Sequence, residues 1–298
     1  MMDQSYLQKG LMALANASEQ NVFTGHYGAA FIAAYFMDRE NQLPDHVTES
    51  ITSYLARVEE KQTKFFINID KSPSVTDDFE PLLRAIKRNL EVLRSSGHGV
   101  IYGMLALKAF QHAPQLATEL LVQRIAQLID KALQDRQNRY YQIENYQILT
   151  EKDVLGIPVY QSMQDLMELA LAECRWVIPD QKVGDDFYFF TGELEHGVTF
   201  AHALVELEKM EYKELARHGW HVHRLQMYLN RQVPHHLMNQ VVIVSDKASI
   251  LDEGYWKKEM QDPHFIKVPY AALSLLKNLP THKRKIAEHH ICQILSTF

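Results

Sequence analysis

Two stretches of this chain are apolar on nearly every face that a helix would present: residues 26–37 (HYGAAFIAAYFM) and residues 98–110 (HGVIYGMLALKAF). A helix that is apolar all round is stable only where other helices bury it. Residues 47–64 and 116–139 instead alternate apolar and charged side chains at helical spacing, which is typical of helices with one face in solvent. These patterns predict an all-α fold, an irregular α/α toroid or bundle in which amphipathic outer helices surround apolar inner ones.

The turn-forming residues support the same fold class. Glycine (12) and proline (10) are sparse among the 298 residues, whereas a sheet-rich fold would need more of them. No Gly/Ser-rich or Pro-rich linker divides the chain, so we expect a single domain over residues 1–298. We expect an irregular covering segment near 158–192, with a loop at 180–186, and a lid near 240–262 that begins with the β-branched run QVVIVS.

Charge and hydropathy restrict the partners. The net charge is −6 and the basic residues are scattered, which argues against a nucleic-acid partner. No apolar run approaches the roughly 18 residues of a membrane-spanning helix, and the amino terminus lacks the pattern of a signal peptide. The two cysteines, Cys174 and Cys292, stand in unrelated contexts. We therefore expect a cytoplasmic protein with a small-molecule partner, and its oligomeric state stays open.

Four of the 15 histidines begin similar apolar segments, and these four are His26, His98, His196 and His264. If the inner helices lie side by side, their amino-terminal ends meet at one rim, and the four rings face one space. Imidazole binds iron, zinc, copper and nickel as the neutral base. The pattern therefore predicts that these four histidines hold one metal ion.

Further residues are candidates for the same site. Lys267 follows His264 by three residues and shares its helix face. A lysine buried there would lose its charge, and a neutral amine can take up carbon dioxide to give a carbamate that ligates metal. His202 is expected beside the site or as an alternative ligand. Four aromatic residues would either line a substrate pocket or belong to the core: Tyr27, Tyr102, Phe200 and Tyr270.

Taken in order, the segments that begin at the four histidines, with Lys267 in the last, resemble the questin oxidase-like family. The resemblance extends from near residue 20 to near residue 277, although this chain is shorter than most members. It implies an all-helical oxygenase that acts on aromatic or polycyclic small molecules and binds iron through histidines and a carboxylated lysine; NADPH is attributed to some members. Carried over, His26, His98, His196 and His264 are the iron ligands and Lys267 is the carbamate ligand, with His202 as an alternative to His264.

Two other interpretations remain open at this point. Gly97-His98-Gly99 is similar to a segment of the lanthionine cyclases, which would make the protein a zinc-dependent toroid enzyme. Alternatively, the histidines only begin helices in a non-catalytic scaffold or small-molecule carrier. Convergence of the imidazole rings separates the metal-binding interpretations from the scaffold.

Overall fold

The computed structural model describes residues 2–70, 73–238, 244–245, 247–260 and 262–298, and helices dominate these ranges. The all-α prediction is confirmed. The helices of the first half are α1 (Ser5–Ala17), α2 (Gly25–Glu40), α3 (Asp45–Lys61), α4 (Glu80–Glu91), α5 (His98–His112) and α6 (Glu119–Lys131). Those of the second half are α7 (Met163–Glu173), α8 (Phe190–Lys209), α9 (Lys213–His218), α10 (Trp220–Asn230), α11 (Glu253–Trp256), α12 (His264–Asn278) and α13 (Thr281–Leu295). Among the described residues, no helix is long and apolar enough to cross a membrane.

The predicted difference between inner and outer helices is present. In α2 and α5, nearly every residue up to the last turn is buried, as expected for helices that are apolar all round. In α3 and α6, by contrast, buried residues recur at helical spacing between exposed polar ones. Apolar periodicity alone therefore sorted these four helices correctly.

Contacts between Cα atoms divide the chain into two compact units. The first unit consists of Met1–Asn89, Gly97–Gln134 and Leu251–Tyr270, and the second consists of Leu90–Ser96, Asp135–Ile250 and Ala271–Phe298. Helices α4 and α12 each contribute residues to both units. The expectation of a single domain stays a prediction.

Helices α1 and α2 pack closely in the first unit because two glycines meet where they cross. A Cβ atom on Gly28 would lie only 2.5 Å from the carbonyl oxygen of Gly10. This contact excludes any larger residue at position 28. It also fixes the position of the turn of α2 that follows His26.

A buried ion network organises the second unit. The guanidinium of Arg139 donates to Asp135 Oδ2 at 2.7 Å and to Glu193 Oε1 at 2.9 Å, and all three side chains are almost fully buried. The backbone N–H of Ser95 donates to Asp135, and the hydroxyl of Ser96 donates to Glu193. These bonds hold both serines at positive φ, 45° and 53°, where residues other than glycine are strained.

The segment expected to be irregular, residues 158–192, contains more regular structure than predicted. Helix α7 lies inside it and begins with a capping box, in which Ser162 and Asp165 bond each other's backbone. The segment also contains a hairpin of β1 (Gln181–Val183) and β2 (Asp186–Tyr188), so the predicted loop at 180–186 is partly a strand. The prediction of an irregular segment is therefore wrong for residues 163–173. It failed because the Ser-x-x-Asp signal at 162–165 was overlooked.

The predicted lid near 240–262 is described only in part, because residues 239–243, 246 and 261 are outside the described ranges. The β-branched run at its start therefore lies mostly outside the described residues. Within the described part, residues 253–256 form α11. A proline inside a helix usually kinks or ends it, yet α12 begins at His264 and continues through Pro269. Proline lacks the N–H that would bond the carbonyl of Phe265, and the hydroxyl of Tyr255 donates to that carbonyl instead, at 2.9 Å.

Candidate metal centre

The turn before α2 sets the orientation of His26. The side chain of Asn21 accepts hydrogen bonds from the N–H groups of Phe23 and Thr24, which closes a 3-10 turn over Val22–Thr24. Thr24 precedes α2, but its side chain makes no capping bond and its hydroxyl donates to the Asn21 carbonyl. The turn leaves the carbonyl of Phe23 facing Nδ1 of His26, at 2.7 Å.

The hydrogen bonds of His26 determine which ring nitrogen carries the proton. A carbonyl oxygen can only accept, so Nδ1 of His26 must be the protonated nitrogen that donates to Phe23. The hydroxyl oxygen of Tyr102 lies 2.6 Å from the same nitrogen. In the neutral ring, Nε2 therefore presents its lone pair.

Asp262 fixes His264 in the same way. Oδ1 of Asp262 lies 2.5 Å from Nδ1 of His264 and accepts the His264 backbone N–H at 2.7 Å, as expected for a helix cap. Burial and the positive charge of Lys267 lower the pKa of His264, so the neutral ring predominates near pH 7. Partial desolvation would raise the pKa of Asp262, but His264 and Lys267 hold it well below its usual range. Nδ1 of His264 therefore donates to a carboxylate, and Nε2 carries a lone pair.

Three Nε2 atoms converge. Nε2 of His26 lies 3.0 Å from Nε2 of His98 and 3.1 Å from Nε2 of His264. One ligand nitrogen from each of these rings lies within 4.8 Å of the other two. His98 is the first residue of α5 and follows Gly97, whose φ of 81° requires glycine. Ser96 has the residue type of a helix cap but is part of the ion network of the second unit.

The convergence brings lone pairs together. With both Nδ1 atoms protonated, neutral His26 and His264 place two Nε2 lone pairs 3.1 Å apart. Such an arrangement is repulsive in this protonation state, and a cation bound between the nitrogens would relieve the repulsion. With metal–nitrogen bonds of about 2.1 Å, nitrogens at right angles about the metal are about 3.0 Å apart, and nitrogens at a tetrahedral angle are about 3.4 Å apart. The observed separations of 3.0 and 3.1 Å fit the right-angled, octahedral case better than the tetrahedral geometry of structural zinc.

Lys267 lies near the same group. Its side chain is almost fully buried, 3% exposed, on the helix that begins with His264. In its charged, unmodified form, Lys267 lowers the pKa of both His264 and Asp262. The burial expected for Lys267 is confirmed, and its conversion to a carbamate stays a prediction.

His196 and His202 belong to the second unit, where both are buried on α8. Nε2 of His202 lies 3.8 Å from Oε1 of Glu206. Whether either residue is a ligand stays a prediction of the sequence. The choice between His202 and His264 now favours His264, because its ring nitrogen contacts that of His26.

The four aromatic residues expected to line a pocket have different surroundings. Tyr102 contacts His26 and His98, with ring centroids 5.8 and 5.5 Å apart. Tyr27 packs on Phe65, Phe200 packs on His223, and the hydroxyl of Tyr270 accepts a hydrogen bond from Lys108. Sequence reasoning missed Phe23, whose ring contacts both His26 and His98. A single aromatic residue before the first histidine carried no signal that would have distinguished it.

Other residues that could bind metal have structural partners. His223, from the cluster at 218–223, is fully buried between the hydroxyl of Tyr160 and the carbonyl of Gly197. Burial lowers its pKa to about 4, which keeps the ring neutral. Cys174 and Cys292 are both buried thiols of the second unit, and burial raises the pKa of Cys174. These contexts give the zinc-toroid interpretation no support.

Comparison of the chain with protein families, curated proteins and solved structures finds no match. The resemblance to the questin oxidase-like family therefore rests on the four histidine segments and Lys267 alone.

Proposed function

We propose that this protein is a non-haem iron-dependent oxygenase that acts on an aromatic or polycyclic small molecule. His26, His98 and His264 hold the metal. His196 and a carboxylated Lys267 are added as ligands from the sequence pattern and the family resemblance. A cytoplasmic location is proposed from composition alone, and cell fractionation tests it.

One observation carries the metal site. Nε2 of His26 lies about equally far, 3.0 and 3.1 Å, from Nε2 of His98 and of His264. The opposite edges of two of these rings are occupied by the Phe23 carbonyl and the Asp262 carboxylate. Metal-binding histidines commonly donate their second N–H to such oxygen atoms, which fixes the tautomer and raises the basicity of the ligand. A histidine that only begins a helix needs no such arrangement.

The ligand separations and the family resemblance support iron as the metal. Nitrogens near right angles suit a metal with six ligands, and imidazole is a good ligand for iron. Bound ferrous iron would supply dioxygen activation. The protein's own part is to keep the protons at Nδ1 of His26 and His264, to aim both Nε2 atoms at one point, and to exclude water from the deep side, where His98 is only 1% exposed.

The first test is metal content. Protein purified without a histidine tag is analysed for metals, and the metal-free form is titrated anaerobically with iron(II) and separately with zinc. We expect about one iron per chain, and loss of that iron in His98→Ala and His264→Ala. His236→Ala, which removes an exposed histidine of the second unit, is the matched control and should bind iron normally. Wild-type protein that takes up no iron would refute the proposal, and uptake of zinc alone would favour a zinc enzyme.

The ligands that rest on sequence have separate tests. His196→Ala should weaken iron binding as much as His98→Ala does, and normal binding would remove His196 from the ligand set. For Lys267, metal-loaded protein prepared with ¹³C-bicarbonate should give a carbamate carbon signal that Lys267→Met lacks. Dioxygen consumption with a phenolic substrate, measured with and without NADPH, tests whether that cofactor is needed.

A further inference from the structure

Phe23 combines exposure with contact to two of the converging histidines. Its ring is 51% exposed. It stacks on the ring of His26 at a centroid distance of 6.3 Å and meets the ring of His98 edge-on at 5.6 Å. Half of a large apolar side chain thus faces solvent beside the candidate metal centre.

The backbone of Phe23 is fixed at both ends of the residue. Its N–H donates to Oδ1 of Asn21 at 3.0 Å, and its carbonyl accepts from Nδ1 of His26 at 2.7 Å. The bond that sets the tautomer of His26 thus also sets the place of the Phe23 ring. These bonds fix the backbone of Phe23 relative to the imidazole, and the Phe23 ring contacts the rings of His26 and His98 from that position.

Burial differs among the converging histidines. His98 is 1% exposed and His26 is 7% exposed, while the side chain of His264 is 14% exposed. The centre is therefore closed on the side of His98 and most accessible on the side of His26 and His264. Phe23 contacts both His26 and His98 and is half exposed, so it brings apolar surface from the buried part of the centre out to solvent.

We propose that Phe23 is a specificity-determining residue whose ring stacks on the substrate of the metal centre. The exposed aromatic surface suits a planar, ring-bearing small molecule, because aromatic pairs are favourable in offset or edge-on arrangements with centroids about 4.5–7 Å apart. Phe23 and Tyr102 both contact His26 and His98, but Tyr102 is fully buried whereas Phe23 is half exposed, so Phe23 is the more accessible of the two to a ligand that enters from solvent. The inference rests on the proposed metal site and deepens it.

The test uses two probes on wild-type and variant proteins loaded anaerobically with iron(II). 4-Nitrocatechol is a planar ring that binds metal and reports binding by absorbance, and acetohydroxamate binds metal without a ring. We expect Phe23→Ala to bind 4-nitrocatechol about tenfold more weakly, because the variant loses one stacking contact and the apolar area that it buries. Its affinities for acetohydroxamate and for iron(II) should stay within about twofold of wild type. Phe23→Tyr keeps the ring and should bind 4-nitrocatechol normally.

Phe187→Ala is the matched control, because Phe187 is similarly exposed, 47%, but lies on the hairpin of the second unit. Unchanged 4-nitrocatechol binding in Phe23→Ala, with normal iron uptake, would overturn the role of Phe23 and leave the metal site intact. Equal weakening of both probes or of iron binding would show that Phe23 only supports His26, which also overturns the inference. Wild-type protein that takes up no iron would refute the metal site itself and the inference with it.

Discussion

Asp262 is the residue whose removal tests most directly how the candidate centre is preorganised. One carboxylate oxygen accepts both the Nδ1–H and the backbone N–H of His264, at 2.5 and 2.7 Å. In Asp262→Ala both bonds are lost, so the His264 ring can rotate and can carry its proton on Nε2. Removal of such a partner of a metal-binding histidine costs about 10–100-fold in metal affinity.

The structure narrows the loss of iron(II) affinity that we expect for Asp262→Ala. A hydrogen bond to a charged group contributes about 1.5–3 kcal/mol, which corresponds to roughly tenfold to a hundredfold in affinity. The Asp262 side chain is 53% exposed, so solvent screens its charge and the lower half of this range applies. We therefore expect iron(II) to bind Asp262→Ala about 10–30-fold more weakly than wild type. Asp262→Asn keeps an oxygen acceptor without the charge and should lose only a part of that.

The assay is an anaerobic iron(II) titration in which calorimetry measures binding. The thermal stability of the metal-free proteins is measured alongside. Thr118→Ala is the control, because it removes the side-chain cap of α6 without touching a histidine. It should lower stability by about 1 kcal/mol, as loss of a cap does, and leave iron affinity unchanged. If Asp262→Ala binds iron as tightly as wild type, the orientation of His264 does not depend on Asp262 and the reasoning fails.

Two further predictions concern stability. Tyr255→Phe should cost about 1 kcal/mol in urea unfolding, because the Phe265 carbonyl loses its donor, and the cost should shrink in a Pro269→Ala background that restores an N–H; equal costs in both backgrounds would contradict this. The pKa of His223 is lowered to about 4 by burial, so between pH 6.5 and 4 the unfolded chain binds a proton that the folded chain does not. The free energy of unfolding is therefore unaffected by this group above pH 6.5. It falls by about 3 kcal/mol as the pH falls from 6.5 to 4. His223→Gln should flatten the pH profile relative to the exposed-site control His218→Gln, and parallel profiles would contradict it.

The parts of the fold that sequence predicted are those that one helix determines by itself. Helices α2 and α5 are apolar on all sides, and no arrangement other than burial suits them. The apolar spacing in α3 likewise fixes which face is buried. The capping box at the start of α7 is also a local signal of a helix start. The prediction of an irregular segment missed it, although no long-range contact is needed to recognise it.

The parts that sequence could not give depend on partners far along the chain. Ser96 has the residue type of a helix cap, yet its hydroxyl donates a hydrogen bond to Glu193, 97 residues away. Tyr102 reaches His26 across 76 residues, and His223 is neutralised by burial beside Tyr160, 63 residues away. No local pattern encodes these pairings, because each depends on how complete helices pack.

Placement at a helix start explains why His26 and His264 can present Nε2 to a shared point. In an α-helix the Cα–Cβ bonds tilt toward the amino terminus, so the ring of a first-turn residue overhangs the turn that precedes the helix. Nδ1, the nitrogen nearer the backbone, then meets oxygens of that turn: the Phe23 carbonyl, three residues before His26, and the Asp262 carboxylate, two residues before His264. Nε2 is left pointing away from the helix that carries it. At the start of α2 the preceding turn therefore supplies an oxygen to the His26 ring, while the hydroxyl of Thr24 donates to the Asn21 carbonyl and does not cap the helix.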